Sequence, residues 1–431
     1  MKVPKVSFYT LGCRVNQYET QAMEEQFIKQ GFDVVGFGEK CDFCVVNTCA
    51  VTAESERKSA QLVRRASAYA DRVIAVGCHS QFHPSAAASI PSVALVLGCR
   101  GKTHVAAAAR ALADGLEPVI PEPAGEREYE LSEIFTAGKN TARRCRAFIK
   151  IQDGCSGRCT YCIIPSLRGP SRSRPPQLVL EEARRAADMG IKELVLTGIE
   201  TAAYSGMPLP ELIARVAEIS GILRIRLGSL DPARVTPEFV SALAATGKFM
   251  PHFHLSVQSG SDRVLNLMQR PYGKEGAYRA AYAVREAFDN AMISADMIYA
   301  FPGENDDDFN ETLEYIERCD LYHVHFFPFS PRAGTPAAKM KDILTPEEKK
   351  ARGAAIADTA ARVKSRVLDR VAGSDVRVLA ERAESAGVFG HTENFLPCIV
   401  HGTAAEPGSI ITAHVTGSDG VTLEADALWE I

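Results

Sequence analysis

At 431 residues, 46% hydrophobic and 24% charged, the chain has ordinary globular make-up and is too long for one core, so two or three domains are expected. No apolar stretch is long enough to span a bilayer and Met1-Lys2-Val3-Pro4 lacks a secretory apolar region, which argues against a membrane partner and makes the cytoplasm the expected location. A net charge of −4 excludes a general pull toward nucleic acid, and twelve cysteines in a cytoplasmic chain point to metal or redox chemistry instead of disulfides.

Residues 6–10 read as a strand, Leu11-Gly12-Cys13 as the turn leaving it, and Asn16 to about Gln30 as a helix stopped by Gly31. Residues 44–48 are a second strand ending at Cys49, residues 54–70 a basic-faced helix, and residues 73–76 a third strand ending in Gly77-Cys78. Alternating strand and helix predicts a parallel sheet, whose ligands bind beyond the carboxyl ends of its strands. Cys13, Cys49 and Cys78 therefore fall at one sheet edge. Any one of them alone reads as a core or loop cysteine; three of three at strand ends argues for a shared cluster. Cys41 and Cys44 form a competing C-x-x-C, but Cys44 falls inside a strand. Cys99, Cys145, Cys319 and Cys398 have no partner at metal spacing and read as structural.

Residues 100–140 look like an ending helix and a linker rich in proline and glutamate. Arg143, Arg144 and Arg146 then precede a strand over residues 147–151 that delivers Gly154-Cys155-Ser156-Gly157-Arg158-Cys159-Thr160-Tyr161-Cys162. Thiolates at Cys155, Cys159 and Cys162 can hold three corners of a cubane iron–sulfur cluster and leave the fourth iron open to a ligand. A zinc site is the alternative, but no His or Cys follows within thirty residues to complete it. Arg168, Arg172 and Arg174 form a basic knot beside this loop and are candidate phosphate contacts. Solvated surface arginines are the bland alternative, and Arg168, next to Gly169-Pro170, is the one most apt to pair with a carboxylate instead.

From residue 178 to about 335, strands at 193–197, 224–228, 252–257, 294–299 and 322–327 alternate with helices. With the strand before the cluster loop they make about six units, a partial (β/α) barrel with its site at the C-terminal mouth. His252, His254, His323 and His325 alternate along two strands and read as barrel-lining hydrogen-bonding groups. Residues 305–308 cap the next helix, and a long charged helix runs from Thr345 to about Val371 with Pro346 in its first turn. Four or five short strands in the last sixty residues make a small β-barrel.

The cluster loop resembles the radical S-adenosylmethionine signature. The stretches at 10–20, 47–52 and 77–78 resemble the methylthiotransferase family of such enzymes, and the run after Cys13 looks like the branch acting on N6-threonylcarbamoyladenosine beside the tRNA anticodon. The resemblance implies an α/β chain with a parallel-sheet domain over 1–125, a radical domain over 141–371 and a TRAM-like RNA-binding barrel over 372–431. It implies two 4Fe-4S clusters, the auxiliary one on Cys13, Cys49 and Cys78, and S-adenosylmethionine as both methyl donor and radical source. Gly198, in the place of the superfamily's Gly-Gly-Glu-like motif, is a cofactor contact by this resemblance, and the strand-end residues Ser229 and Gln258 join it. Ala300 stands where the family has glycine, a change that a backbone contact tolerates if its φ is negative. The branch often has His or Asn where this chain has Glu200, so no role is carried onto that side chain. The implied partners are a tRNA anticodon stem-loop and an electron donor such as flavodoxin or ferredoxin. The alternatives are a methylthiotransferase for another tRNA adenosine or a ribosomal protein, and a zinc-containing RNA-binding protein.

Overall fold

A computed structural model describes residues 3–121, 125, 128–130, 132–134, 145–385 and 387–430; Arg143, Arg144 and the expected start of the central domain at 141 lie outside the described residues. The N-terminal sheet is parallel, in the order β2-β1-β3-β4-β5, with β1 at Lys5–Thr10, β2 at Asp33–Val35, β3 at Cys41–Thr48, β4 at Ala70–Gly77 and β5 at Val93–Val96. Central β3 is apolar on both faces, as a strand between two helix layers must be. Phe43 and Val45 pack with Val6, Phe27 and Ile74 on one side, while Cys44 and Val46 pack with Val63, Ala66 and Ala75 on the other. Cys44 is thus a core residue, and burial pushes its thiol up to about 12. The edge strands β2 and β5, three and four residues long, carry too little pattern to be read in advance.

The central barrel strands are Arg146–Lys150, Glu193–Thr197, Arg224–Leu227, His252–Gln258, Met292–Tyr299 and His323–Pro328. The first three form one parallel sheet and the last three another, joined by the bridges Ile225–Phe249 and Leu230–Leu255. Phe253, Leu255, Val257, Ile293, Ala295 and Met297 alternate outward into the core, which turns His252, His254, Ser294 and Asp296 toward the lumen. At the free edge of the first barrel strand sits α1, Arg14–Lys29 of the N-terminal domain, whose Tyr18 hydroxyl lies 2.6 Å from Ser132 O and 3.1 Å from a Glu182 oxygen.

The last five strands close a small barrel in the order Asp375–Glu384, Gly387–Thr392, Pro397–His401, Leu423–Glu430, Ile410–Ser418. It plugs the floor of the central barrel. Arg224 donates to Arg377 O at 2.6 Å, Arg226 to Thr392 O at 3.1 Å, and the Phe395 ring stacks on His252 at 4.8 Å. The helix Pro346–Asp369, closed at its N-terminus by a capping box between Thr345 and Glu348, leads into it.

Candidate active site

Leaving the first barrel strand, Gln152–Asp153 pair antiparallel with Arg172–Ser173 and make a neck for the loop that carries Cys155, Cys159 and Cys162. Gly154 has φ +71, and a Cβ there would lie 2.1 Å from Pro170 O, so only glycine fits. Gln152 clamps the neck: its Nε2 donates to Gly154 O at 2.7 Å and Ser171 Oγ at 2.9 Å, while its Oε1 accepts the Glu200 amide at 2.9 Å. The Gly157 amide points at Cys155 Sγ at 3.3 Å, and a Cβ on Gly157 would sit 3.2 Å from that sulfur and 3.9 Å from Cys159 Sγ. The three half-buried thiols, with amides turned toward sulfur, fit a cubane held at three corners. Burial pushes Cys155 upward and Cys162 up to about 12; a metal displaces such protons on binding. Arg270 places Nη1 3.2 Å from Cys159 Sγ and Nη2 2.8 Å from Asp231. Sequence reasoning missed Arg270, because 111 residues separate it from Cys159.

Gly198, Ser229, Gln258 and Ala300 all lie at the mouth ends of successive barrel strands. A Cβ on Gly198 would meet Gln152 Oε1 at 2.8 Å, which fixes glycine there. Ala300 departs from expectation: its φ is +55, not negative. Its amide donates to Glu304 Oε2 at 2.7 Å, and Arg352 holds the same oxygen at 2.6 Å, so a buried ion pair keeps the left-handed turn in place of glycine's freedom. Gln258 is likewise left-handed, at φ +71. Beside the cluster loop, Glu200 has a buried Oε1 without a hydrogen bond among the described residues, and burial together with Asp231 pushes its carboxyl up to about 7. An orphaned carboxylate oxygen at the cluster mouth fits the ammonium of a methionine moiety.

Cys13, Cys49 and Cys78 come to one edge of the N-terminal sheet, at the ends of adjacent strands. Cys13 precedes α1, Cys49 follows β3 and Cys78 follows β4. Asn16 lashes two of the turns together, its Nδ2 donating to Leu11 O at 2.8 Å and Thr48 O at 3.1 Å. Gly12, at φ +99, leaves room for Cys49, whose Sγ lies 3.0 Å from where a Cβ would stand. Cys99 has no partner at metal spacing along the chain, yet its Sγ lies 3.7 Å from that of Cys78. That hydrogen bond, with Arg168 and Lys102, draws the Cys78 thiol below its ordinary value against the opposing effect of burial. Ala50, Cys78 and Cys99 pack on Ile163 and Leu167, in the segment that follows Cys162.

The arginine knot is corrected for two of its members. Arg168 is 1% exposed and ties the domains together: Nη1 donates to Glu19 at 3.0 Å and Asp153 at 2.9 Å, Nη2 to Asn16 at 2.7 Å. Arg174 is wholly buried against Glu182 at 2.7 Å and Tyr18 at 3.2 Å. Neither reaches a phosphate, because carboxylates of α1 and its neighbours already neutralise them. Arg172, also buried, donates to Pro170 O at 3.0 Å and lines a cavity of about 660 Å³ with Arg100 and Arg168. In the lumen, His254 joins Asp296 at 3.1 Å and Ser294 at 2.8 Å, with His325 5.3 Å away ring to ring, as barrel-lining histidines should. Arg14, next to Cys13, extends to within 5.9 Å of the Phe148 ring. Burial lowers its pKa, and Arg146 adds to the effect.

Two family profiles match: the Radical SAM superfamily over residues 149–316 and Uncharacterized protein family UPF0004 over residues 5–98. The chain is 33% identical to the threonylcarbamoyladenosine tRNA methylthiotransferase MtaB of Bacillus subtilis, over 95% of this chain and 93% of that one. It is 36% identical to the protein of the same name from Thermotoga maritima, over 91% and 90%. A tRNA-2-methylthio-N(6)-dimethylallyladenosine synthase of Moorella thermoacetica is 30% identical over 94% of each. Among solved structures, the radical S-adenosylmethionine methyltransferase TsrM of Kitasatospora setae shares the fold, with TM-score 0.58 and 17% identity over 78% of this chain and 77% of that one.

Proposed function

Because the chain belongs to the methylthiotransferase family of radical S-adenosylmethionine enzymes, we propose that it adds a methylthio group to C2 of N6-threonylcarbamoyladenosine beside the anticodon of tRNA. One arrangement supports the reading: the loop of Cys155, Cys159 and Cys162 leads straight into the Ile164–Arg168 helix, and Cys78 of the N-terminal domain packs with Ile163 and Leu167 of that segment. An aromatic C–H without activation has no accessible polar route to C–S bond formation, so a radical source and a sulfur source must meet at one base. When bound at these cysteines, iron–sulfur clusters supply the electron that cleaves S-adenosylmethionine and the iron at which sulfur is held.

The chain's own residues do the positioning. Gln152 holds the cluster loop and the Glu200 backbone in one network. The Glu200 carboxylate receives the methionine ammonium, and the turns at Gly198, Ser229, Gln258 and Ala300 frame the rest of that ligand. Arg270 sets a positive charge against Cys159 and offsets negative charge on the thiolates. The target adenosine has to leave its stack to reach the mouth. A flavodoxin- or ferredoxin-class protein supplies electrons, in the cytoplasm.

Comparing tRNA nucleosides by mass spectrometry in cells with and without the gene tests this reading. Loss of 2-methylthio-N6-threonylcarbamoyladenosine, with accumulation of its unthiolated parent, is expected. Loss of the 2-methylthio-dimethylallyl nucleoside instead would assign the chain to the other substrate.

A further inference from the structure

C2 of adenine and its N6 substituent lie on the same edge of the purine, with only N1 between the two ring carbons. A base whose C2 faces Cys13, Cys49 and Cys78 therefore brings its N6 arm to the residues flanking those cysteines. The threonylcarbamoyl arm carries a carboxylate. A carboxylate that leaves water for a protein interior needs a cation, preferably one presenting two parallel N–H donors.

The neighbouring cations are mostly committed. Arg168 holds Glu19 and Asp153, Arg174 holds Glu182, Arg146 holds Glu193 and Glu381, and Lys150 bridges Glu19 and Asp153. Arg14 differs. It follows Cys13 directly, is only partly exposed, and makes no hydrogen bond or ion pair with any described residue. Its guanidinium lies near the Phe148 face, with Asp296, which acts on it electrostatically, engaged at 3.1 Å by His254. Cys13 itself is exposed.

We propose that Arg14 determines substrate specificity by binding the threonyl carboxylate of N6-threonylcarbamoyladenosine, an inference that rests on the substrate reading above. The same residue rejects an apolar N6 arm, because that arm leaves a partly desolvated guanidinium without a partner.

The test uses the full-length reconstituted protein and two anticodon stem-loop RNAs, one with the N6-threonylcarbamoyl acid and one with its neutral methyl ester. Wild type should prefer the acid in kcat/KM by roughly tenfold to a hundredfold, the range for a hydrogen-bonded charged pair. Arg14→Gln should bring the acid-to-ester ratio near one, and Arg14→Lys should restore part of the preference. Taking the ratio within each variant cancels any change in cluster loading caused by a substitution beside Cys13. A wild-type ratio of one, or an unchanged ratio in Arg14→Gln, overturns the proposal while leaving the substrate reading intact. If Arg14→Gln does not fold, the wild-type ratio and the Arg14→Lys ratio still decide. Failure of wild type to modify either RNA removes the substrate reading and this inference with it.

Discussion

Replacing Arg168 with methionine separates a structural tie from an RNA contact. Arg168, Lys102 and Lys150 face Glu19 and Asp153 in a buried node that joins α1 to the cluster neck. Removing one partner from such a node costs about 3–5 kcal/mol when it strands a charge. The stranding is partial. Glu19 keeps Lys102 at 2.5 Å and Lys150 at 2.7 Å, and Asp153 Oδ2 keeps Lys150 at 2.7 Å. Asp153 Oδ1 loses the guanidinium and retains the Gly154 amide at 2.7 Å. The loss should therefore sit at the low end, about 3 kcal/mol. A chain of several domains need not unfold in one step, so amide hydrogen exchange in α1 and in residues 146–153 is the suitable assay. About a hundredfold faster exchange there is the expected outcome. The pH dependence has a definite sign. Arg168 and the lysines hold the Glu19 and Asp153 carboxyls below their ordinary values, against burial. Their contribution is present above the unfolded carboxyl pKa of about 4 and is lost as pH falls below it, so wild type and variant should converge in acid. Unchanged exchange together with a shallower salt dependence of tRNA binding would refute this account and return Arg168 to the RNA interface.

Replacing Cys155, Cys159 and Cys162 by alanine should abolish 5′-deoxyadenosine formation under anaerobic reducing conditions; undiminished cleavage of S-adenosylmethionine would rule these out as cluster ligands. The Cys13, Cys49 and Cys78 triple variant should keep that cleavage and lose methylthiolation, with iron per chain falling by about half on the two-cluster reading. Unchanged iron would remove the second cluster from these positions. Truncation after Ser374 should lower the thermal stability of the barrel domain as well as tRNA affinity, because Arg224, Arg226 and His252 lose Arg377, Thr392 and Phe395. A truncated protein with wild-type melting of the barrel would show the two to be independent.

The parts of this molecule legible in the sequence are those set by short-range spacing. Cys155, Cys159 and Cys162 lie within one loop, and Cys13, Cys49 and Cys78 each follow a strand whose apolar run is plain. The capping box at Asn305 and Asp308 was likewise readable from its acidic run. What the sequence hid was set by partners far along the chain. Arg168 and Arg174 look like surface charge beside an active loop, and only folding brings Glu19, 149 residues away, against Arg168. Ala300 seemed to need negative φ because the hydrogen bond from its amide to Glu304 depends on the turn itself. Cys99 looked alone because its partner, Cys78, is reached across the sheet edge and not along a motif.

The central claim is most directly tested by one turnover experiment. The anaerobically reconstituted protein is mixed with S-adenosylmethionine, a reductant, sulfide and an anticodon stem-loop bearing N6-threonylcarbamoyladenosine, and the digested RNA is read by mass spectrometry. The account predicts 2-methylthio-N6-threonylcarbamoyladenosine, together with 5′-deoxyadenosine and S-adenosylhomocysteine. Formation of 5′-deoxyadenosine with the RNA unchanged, by protein carrying its full iron, would contradict it.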